Sequence, residues 1–146
     1  MTEEPRQVVI NKFIQKDPFA NYLGATVESI KPGYSRVSIT VTEEMASFNG
    51  TTHGGLIFAL GDIAFAAASN SHGQIAVAMN VSISFLKASR PGDQLVAEAN
   101  EKHLGGKTAL YDITVVEEKS GELIAKSQNL VYRKDEWFVS PSPNLG

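Results

Sequence analysis

The 146-residue chain contains no cysteine, which removes disulfides, thiolate nucleophiles and cysteine-ligated metals from consideration. It has little charge excess: 13 Lys and Arg stand against 16 Asp and Glu, a formal net charge of −3. That is too small to gather nucleic acid or anionic lipid by field alone, so neither is expected as a partner. Residues 1–17 mix acidic and basic side chains without the apolar stretch of an export leader, and cytoplasmic residence is the expectation. Long apolar runs are missing too. From Gly54 to Asn70 the only formally charged side chain is Asp62, but glycines interrupt the segment and its longest apolar run falls short of the roughly 18 residues of a membrane span. With 42% apolar residues the chain can build one core, and a single domain over 1–146 is expected.

What is present reads in order. Pro5 and a partial apolar stripe of Val8, Val9, Phe13 and Ile14 predict a peripheral helix within residues 1–20. Alternation over 25–30 and 34–41, about a Lys31-Pro32-Gly33 turn, predicts a hairpin with Val37, Ile39 and Val41 on one face. A loop holding the turn pair Asn49-Gly50 follows, and His53-Gly54-Gly55 opens an apolar helix that Gly73 is expected to stop. Four strands are predicted over 75–87, 94–103, 108–118 and 123–133, separated by short turns. Tyr111, Ile113 and Val115 alternate with Asp112 and Thr114, so that strand covers a core on one face. The expected class is α+β: an antiparallel sheet, made of the hairpin and a four-stranded meander, wrapped around one long buried helix. Residues 135–146 show no periodicity and contain Pro141 and Pro143, the pattern of an irregular tail.

Two signals on the central helix carry chemistry. Asp62 is surrounded by Leu60, Ile63, Ala64, Phe65 and Ala66, and a helix apolar on nearly every face is a buried one. Desolvation raises the pKa of such a carboxylate and demands compensation. Either a neighbouring amide or hydroxyl supplies it, or the group reaches a solvated helix edge, or the site is functional. The second signal is Gly54-Gly55 in the first helical turn, where free N–H groups and the positive dipole end form an oxyanion site that glycines leave approachable. A simple turn would look the same. Gly55 and Asp62 are seven residues apart, about 10 Å along the axis. One carbonyl cannot meet both groups, since each must lie within about 3 Å of the reacting atoms. If both act on one substrate, they come from different chains, and at least a homodimer is required.

The segment from Asn49 through His53-Gly54-Gly55 to Asp62-Ile-Ala-Phe-Ala66 resembles the signature of hotdog-fold acyl-CoA thioesterases, closest to the PaaI type of phenylacetic acid degradation. The likeness extends through 68–73, 83–87, Pro91-Gly92-Asp93, Gly106-Lys107-Thr108 and Tyr111-Asp112-Ile113, over about residues 20–134. It implies a hotdog fold, dimers assembled further into homotetramers with sites between subunits, and hydrolysis of acyl-CoA to free acid and CoA without metal or cofactor. By the resemblance Asp62 is general base or nucleophile, the amide of Gly55, with Gly54, polarises the thioester carbonyl, and His53 holds the helix-start loop. Lys87, Arg90 and Lys107, with Gly106 and Thr108, would meet the CoA.

The chain departs from the pattern in two places. Where the group typically has asparagine six residues before the motif histidine, this chain has Ser47, and Asn49 lies four before it; either is a candidate for that role. Where some relatives orient water with a serine or threonine, Ala78 stands, leaving water positioning without a residue. Phe48, Phe58, Phe65, Met79 and Phe85 are candidates for an apolar pocket suited to an aryl or medium-chain acyl group, or for plain core. The competing readings are a non-catalytic acyl-CoA-binding or sensing domain and an acyl-thioester dehydratase. No His-x-x-x-x-Pro segment supports the dehydratase, and no appended DNA-binding segment supports a sensor.

Overall fold

A period of two in burial runs along the strands and decides which side of the sheet is closed. The computed structural model describes residues 4–141. Two helices, α1 (Arg6–Ile14) and α2 (Pro18–Leu23), precede the hairpin of β1 (Thr26–Lys31) and β2 (Tyr34–Thr40). A 3-10 turn at Glu43–Met45 leads to the long helix α3 (Gly54–Ser69). Strands β3 (Gln74–Phe85), β4 (Gln94–Leu104), β5 (Thr108–Glu117) and β6 (Leu123–Trp137) complete the chain.

All pairings are antiparallel and the sheet order is β1-β2-β4-β5-β6-β3. The expected four-stranded meander is therefore corrected: β4, β5 and β6 form one, but β3 joins at the far edge, beside β6. Short turns force neighbours to pair, whereas the segment 86–93 is long enough to carry the chain past two intervening strands. Ser89 on this crossover is buried, and its hydroxyl donates to Thr52 Oγ1 at 2.7 Å, latching it to the loop before α3.

The sheet wraps α3, as the hotdog resemblance implied. Val37, Ile39, Ala97, Tyr111, Ile113 and Val115 point inward and meet Leu60, Ile63, Ala64 and Phe65 in one buried cluster. Phe65 packs edge-on to Tyr111 with ring centroids 5.7 Å apart. Leu60 has no exposed surface, and truncating it to alanine should cost about 2–5 kcal/mol in lost transfer energy and cavity.

Helix α2 was not anticipated within the single peripheral helix over 1–20. Asp17 caps it, accepting from the amides of Phe19 and Ala20 at 3.0 and 3.3 Å, and Pro18 takes the first helical position. Gly73 does not stop α3, which ends at Ser69 with Asn70 as its cap. With φ +85 it instead forms a junction, its carbonyl accepting from Phe138 and Val139, while a Cβ there would lie 2.4 Å from the Arg6 guanidinium.

The tail also differs from expectation. Strand β6 runs to Trp137, and Arg6 then donates to the carbonyls of Val139 and Ser140. Phe138 packs against Phe13 at 5.7 Å. Pro143 lies outside the described residues. No helix among those described is long and apolar enough to cross a membrane.

Candidate active site

Helix α3 buries Leu56, Ile57, Leu60, Ile63, Ala64, Phe65, Ala67 and Ala68 against the sheet. At i+4 spacing down the opposite side run Gly54, Phe58, Asp62 and Ala66, all exposed in the single chain. The reading of α3 as buried on nearly every face is thus corrected, and of the alternatives for Asp62 the structure has the one in which the carboxylate reaches a solvated helix edge. An apolar composition on every face suits a helix enclosed by its own chain, and equally one whose outer stripe is left for a second copy.

Asp62 borders a narrow cleft lined by Phe58, Gly61, Val81, Ile83, Ser127 and Asn129. One flank of its side chain is open to solvent, while the apolar wall beside it still acts on the carboxyl. Burial against that wall pushes the pKa of Asp62 up, and the negative charge of Asp17 adds to it. A raised carboxyl pKa with no cationic partner among the described residues is the state expected of a proton acceptor rather than of an ion-paired structural acid.

At the helix start, His53 is the N-cap. Its backbone N–H donates to Met45 O at 2.8 Å and its ring Nδ1 accepts the Gly55 amide at 2.9 Å. This differs from a free Gly55 donor: an imidazole acceptor two residues upstream has the same reach as the oxygens that usually cap helices. The amides of Leu56 and Ile57 both donate to the His53 carbonyl. Gly54's amide is left as the first-turn donor without an acceptor among the described residues. Because α3 is continuous, Gly55 stays about 10 Å from Asp62 along the axis of the same chain.

Ser47 and Asn49 share one tight turn. Ser47 Oγ donates to Asn49 Oδ1, and Thr51 contributes its hydroxyl at 2.9 Å and its amide at 3.3 Å to the same oxygen. Asn49 Oδ1 is therefore spent on organising the loop. Phe48 at the tip is fully exposed.

The proposed CoA contacts divide. Lys87 pairs with Glu122 at 2.5 Å beyond the end of β3, and Arg90 is exposed on the crossover, its amide donating to Asp93 at 2.9 Å. Gly106, Lys107 and Thr108 form the β4–β5 turn, one strand length away along β5, roughly 30 Å at about 3.3 Å per residue. One chain cannot bring both groups to one phosphate. Of the five apolar candidates, only Phe58 lines the Asp62 cleft; Phe85 borders a second groove with Gly54 and Ile57, Phe65 is core, and Phe48 and Met79 are exposed.

Asn129 and Ser127, on the cleft wall, are not among the residues that the sequence singles out. Period two places them in line with Ala125 and Val131 on the buried face of β6, which was the available signal. A separate cluster closes the far end of α3, where His72 and Tyr111 each reach Glu101 Oε2 at 2.7 Å. Burial raises the Glu101 carboxyl, but these two hydrogen bonds, with the charges of His72 and Arg133, together outweigh it and leave its pKa lowered.

Comparison with known proteins places this geometry. Residues 49–124 match the family model described as Thioesterase superfamily. The chain is similar to the acyl-coenzyme A thioesterase PaaI of Escherichia coli, 40% identical over 105 residues that cover 72% of this chain and 75% of that protein. The solved structure of the E. coli PaaI protein superposes with a TM-score of 0.86 at 32% identity, covering 90% of this chain and 96% of that one. A Streptococcus mutans protein solved bound to acetyl CoA has a TM-score of 0.72 at 29% identity, over 75% of this chain and 88% of that one. On its matched motif region, its identity to PaaI and its sheet-wrapped helix, the chain belongs to the thioesterase superfamily, with the hotdog fold.

Proposed function

We propose that the protein hydrolyses acyl-CoA thioesters to free acid and CoA at sites formed between two copies of the chain. The observation that carries this reading is the outer stripe of α3, which presents Gly54, Phe58 and Asp62 on one face yet holds amide and carboxylate too far apart to act on one carbonyl. A second copy facing this stripe supplies the missing half. The thioester carbonyl oxygen meets the Gly54 and Gly55 amides of one copy, replacing the His53 ring nitrogen as acceptor. Asp62 of the other copy acts on the carbonyl carbon. The amides stabilise the charge that develops on oxygen, and the dipole of α3 adds to them.

Asp62 acts here as general base: its raised pKa favours accepting a proton, and the narrow cleft beside it suits water. Covering the open flank with the second copy strengthens both effects, because desolvation deepens. The separate groove at the helix start, lined by Gly54, Ile57, Phe85 and Leu86, fits an aryl or medium-chain acyl group. The separation of Lys87 and Arg90 from Lys107 fits a CoA nucleotide held by basic residues of two chains. A homotetramer built from two such dimers, working in the cytoplasm where CoA esters form and are consumed, completes the proposal.

Free-thiol release from acetyl-, medium-chain, phenylacetyl- and hydroxybenzoyl-CoA tests it. Turnover on at least one of the larger acyl groups is expected. Tight binding of all four without thiol release would instead make the chain an acyl-CoA-binding domain.

A further inference from the structure

Asn129 is the most deeply buried polar side chain on the wall of the Asp62 cleft. It is 2% exposed, and no donor among the described residues reaches its Oδ1. Ser127, 6% exposed, lies two positions away on the same face of β6 and lines the same cleft. In the sheet Asn129 stands between Tyr111 of β5 and Val81 of β3, and Ser127 between Ile113 and Ile83, so this pair is a polar break in an apolar wall. An unpaired buried acceptor costs about 1–3 kcal/mol. The fold alone would be served better by leucine or valine, and a native group in this condition calls for an external donor.

The room in the cleft decides which donor. The cleft leaves about 10 Å³ for a water to occupy, close to what one water requires and far below the space of a ring or an acyl chain. The cleft has the two to four polar partners that a held water needs, in Asp62, Ser127 and Asn129. Ala78, at the position where a hydroxyl would orient water in relatives, has no polar group to offer.

We propose that Asn129, assisted by Ser127, holds the attacking water against Asp62. One O–H of that water donates to the Asp62 carboxylate and the other to Asn129 Oδ1. The amide brings that oxygen to the cleft by turning about its last bond, since in the present rotamer it has almost no surface open to a water. With both hydrogens committed to acceptors on the cleft wall, an oxygen lone pair faces the open side, where the thioester carbonyl arrives. As the C–O bond forms, the first proton passes to Asp62 and the carbonyl π pair moves onto oxygen. When that pair returns, the C–S bond breaks and the leaving thiolate takes the proton from Asp62. The sum is water plus thioester giving acid plus thiol. Asn129 is thus a positioning residue, and the inference rests on the reading of Asp62 as base.

The test compares Asn129→Leu, Asn129→Ser and Asp62→Asn with the parent protein on phenylacetyl-CoA and hydroxybenzoyl-CoA. Asn129→Leu should lower kcat by about tenfold or more on both substrates, with KM within about twofold and an undiminished melting temperature. Asn129→Ser, which restores an acceptor and leaves space for a second water, should recover part of the loss. A fall of less than tenfold, a loss carried in KM, or a loss confined to the hydroxylated substrate would overturn the proposal, the last by making Asn129 a contact for the acyl group. If the leucine variant does not fold, a high-resolution crystal structure of the parent protein decides. A water bonded to both Asp62 and Asn129 Oδ1 is expected, and a cleft without one overturns the proposal. Asp62→Asn separates the two readings. An inactive Asp62→Asn beside a normal Asn129→Leu sinks only the water-holding role, whereas an active Asp62→Asn sinks the base and the inference with it.

Discussion

The two free edges of the sheet are built differently. Edge β1 is six residues long, is interrupted by a bulge between Val27 and Ser29, and carries Glu28 and Lys31, with Glu28 paired to Arg36 at 2.9 Å. Edge β3 is twelve residues long, has no charged residue, and exposes Val77, Met79 and Phe85 at 40%, 54% and 52%. Shortness, bulges and charge are how soluble proteins keep an edge from pairing. Strand β1 shows all three, whereas β3 has irregular register but neither charge nor shortness to protect it. The outer stripe of α3 borders β3 and not β1: Phe58 and Asp62 share their cleft with Val81 and Ile83. The contrast teaches that one edge of the sheet is protected and the other is left open, with Asp62 on the open side, as the proposed two-copy site requires.

The largest effect should come from chemistry at that side. Replacing Asp62 with Asn is expected to lower kcat by about 100-fold to 10,000-fold, the usual weight of a general base, with the fold intact by circular dichroism. Next comes the edge itself. Met79→Lys should separate the copies in sedimentation velocity and remove most thiol-releasing activity, while Thr26→Lys on β1 should change neither. Equal effects at the two edges would erase the contrast.

A smaller effect follows from the raised pKa of Asp62. A protonated carboxyl cannot accept the water's proton, so kcat/KM should fall with decreasing pH along a limb lying above the ordinary carboxylate range. Asp17→Asn keeps the cap of α2, since asparagine caps as well as aspartate. By removing the second cause of the shift, it should move the limb to lower pH by less than the burial contribution. The same group shapes stability. The folded chain binds this proton more tightly than the unfolded one, so stability declines as pH rises from the ordinary carboxylate value through the raised one. Asp62→Asn should abolish that decline in denaturant titrations across the window.

Much of this was legible in the sequence because local rules decide it. Pro32-Gly33 marks the hairpin turn, and Gly33 adopts φ +74 where a Cβ would press on Glu101 at 2.9 Å. Alternation over Tyr111, Ile113 and Val115 marks a one-sided strand, and a lone carboxylate in an apolar helix marks Asp62. The place of β3 was not legible, since connection length limits where a strand can go without choosing its neighbour. The histidine cap on the Gly55 amide was also hidden, because His53 fits a cap only once its rotamer is known. Lys87 and Lys107 read as one phosphate-binding set until strand length set them apart. Asn129 and Ser127 were masked by their polar neighbours Lys126 and Gln128, which make the segment look like a solvated strand when only its alternate positions are.

The shared site between copies is tested most directly by mixing two inactive proteins. Asp62→Asn lacks the carboxylate; Gly55→Pro lacks the Gly55 amide donor, at a first-turn position where proline removes the cap to His53 Nδ1 but no i→i−4 hydrogen bond of the helix. Each alone should be inactive. Unfolded together in equal amounts and refolded, they should regain roughly a quarter of parental thiol release, because half the dimers are mixed and each mixed dimer has one intact site in two. Mixtures no more active than the separate variants would contradict a site assembled from two chains.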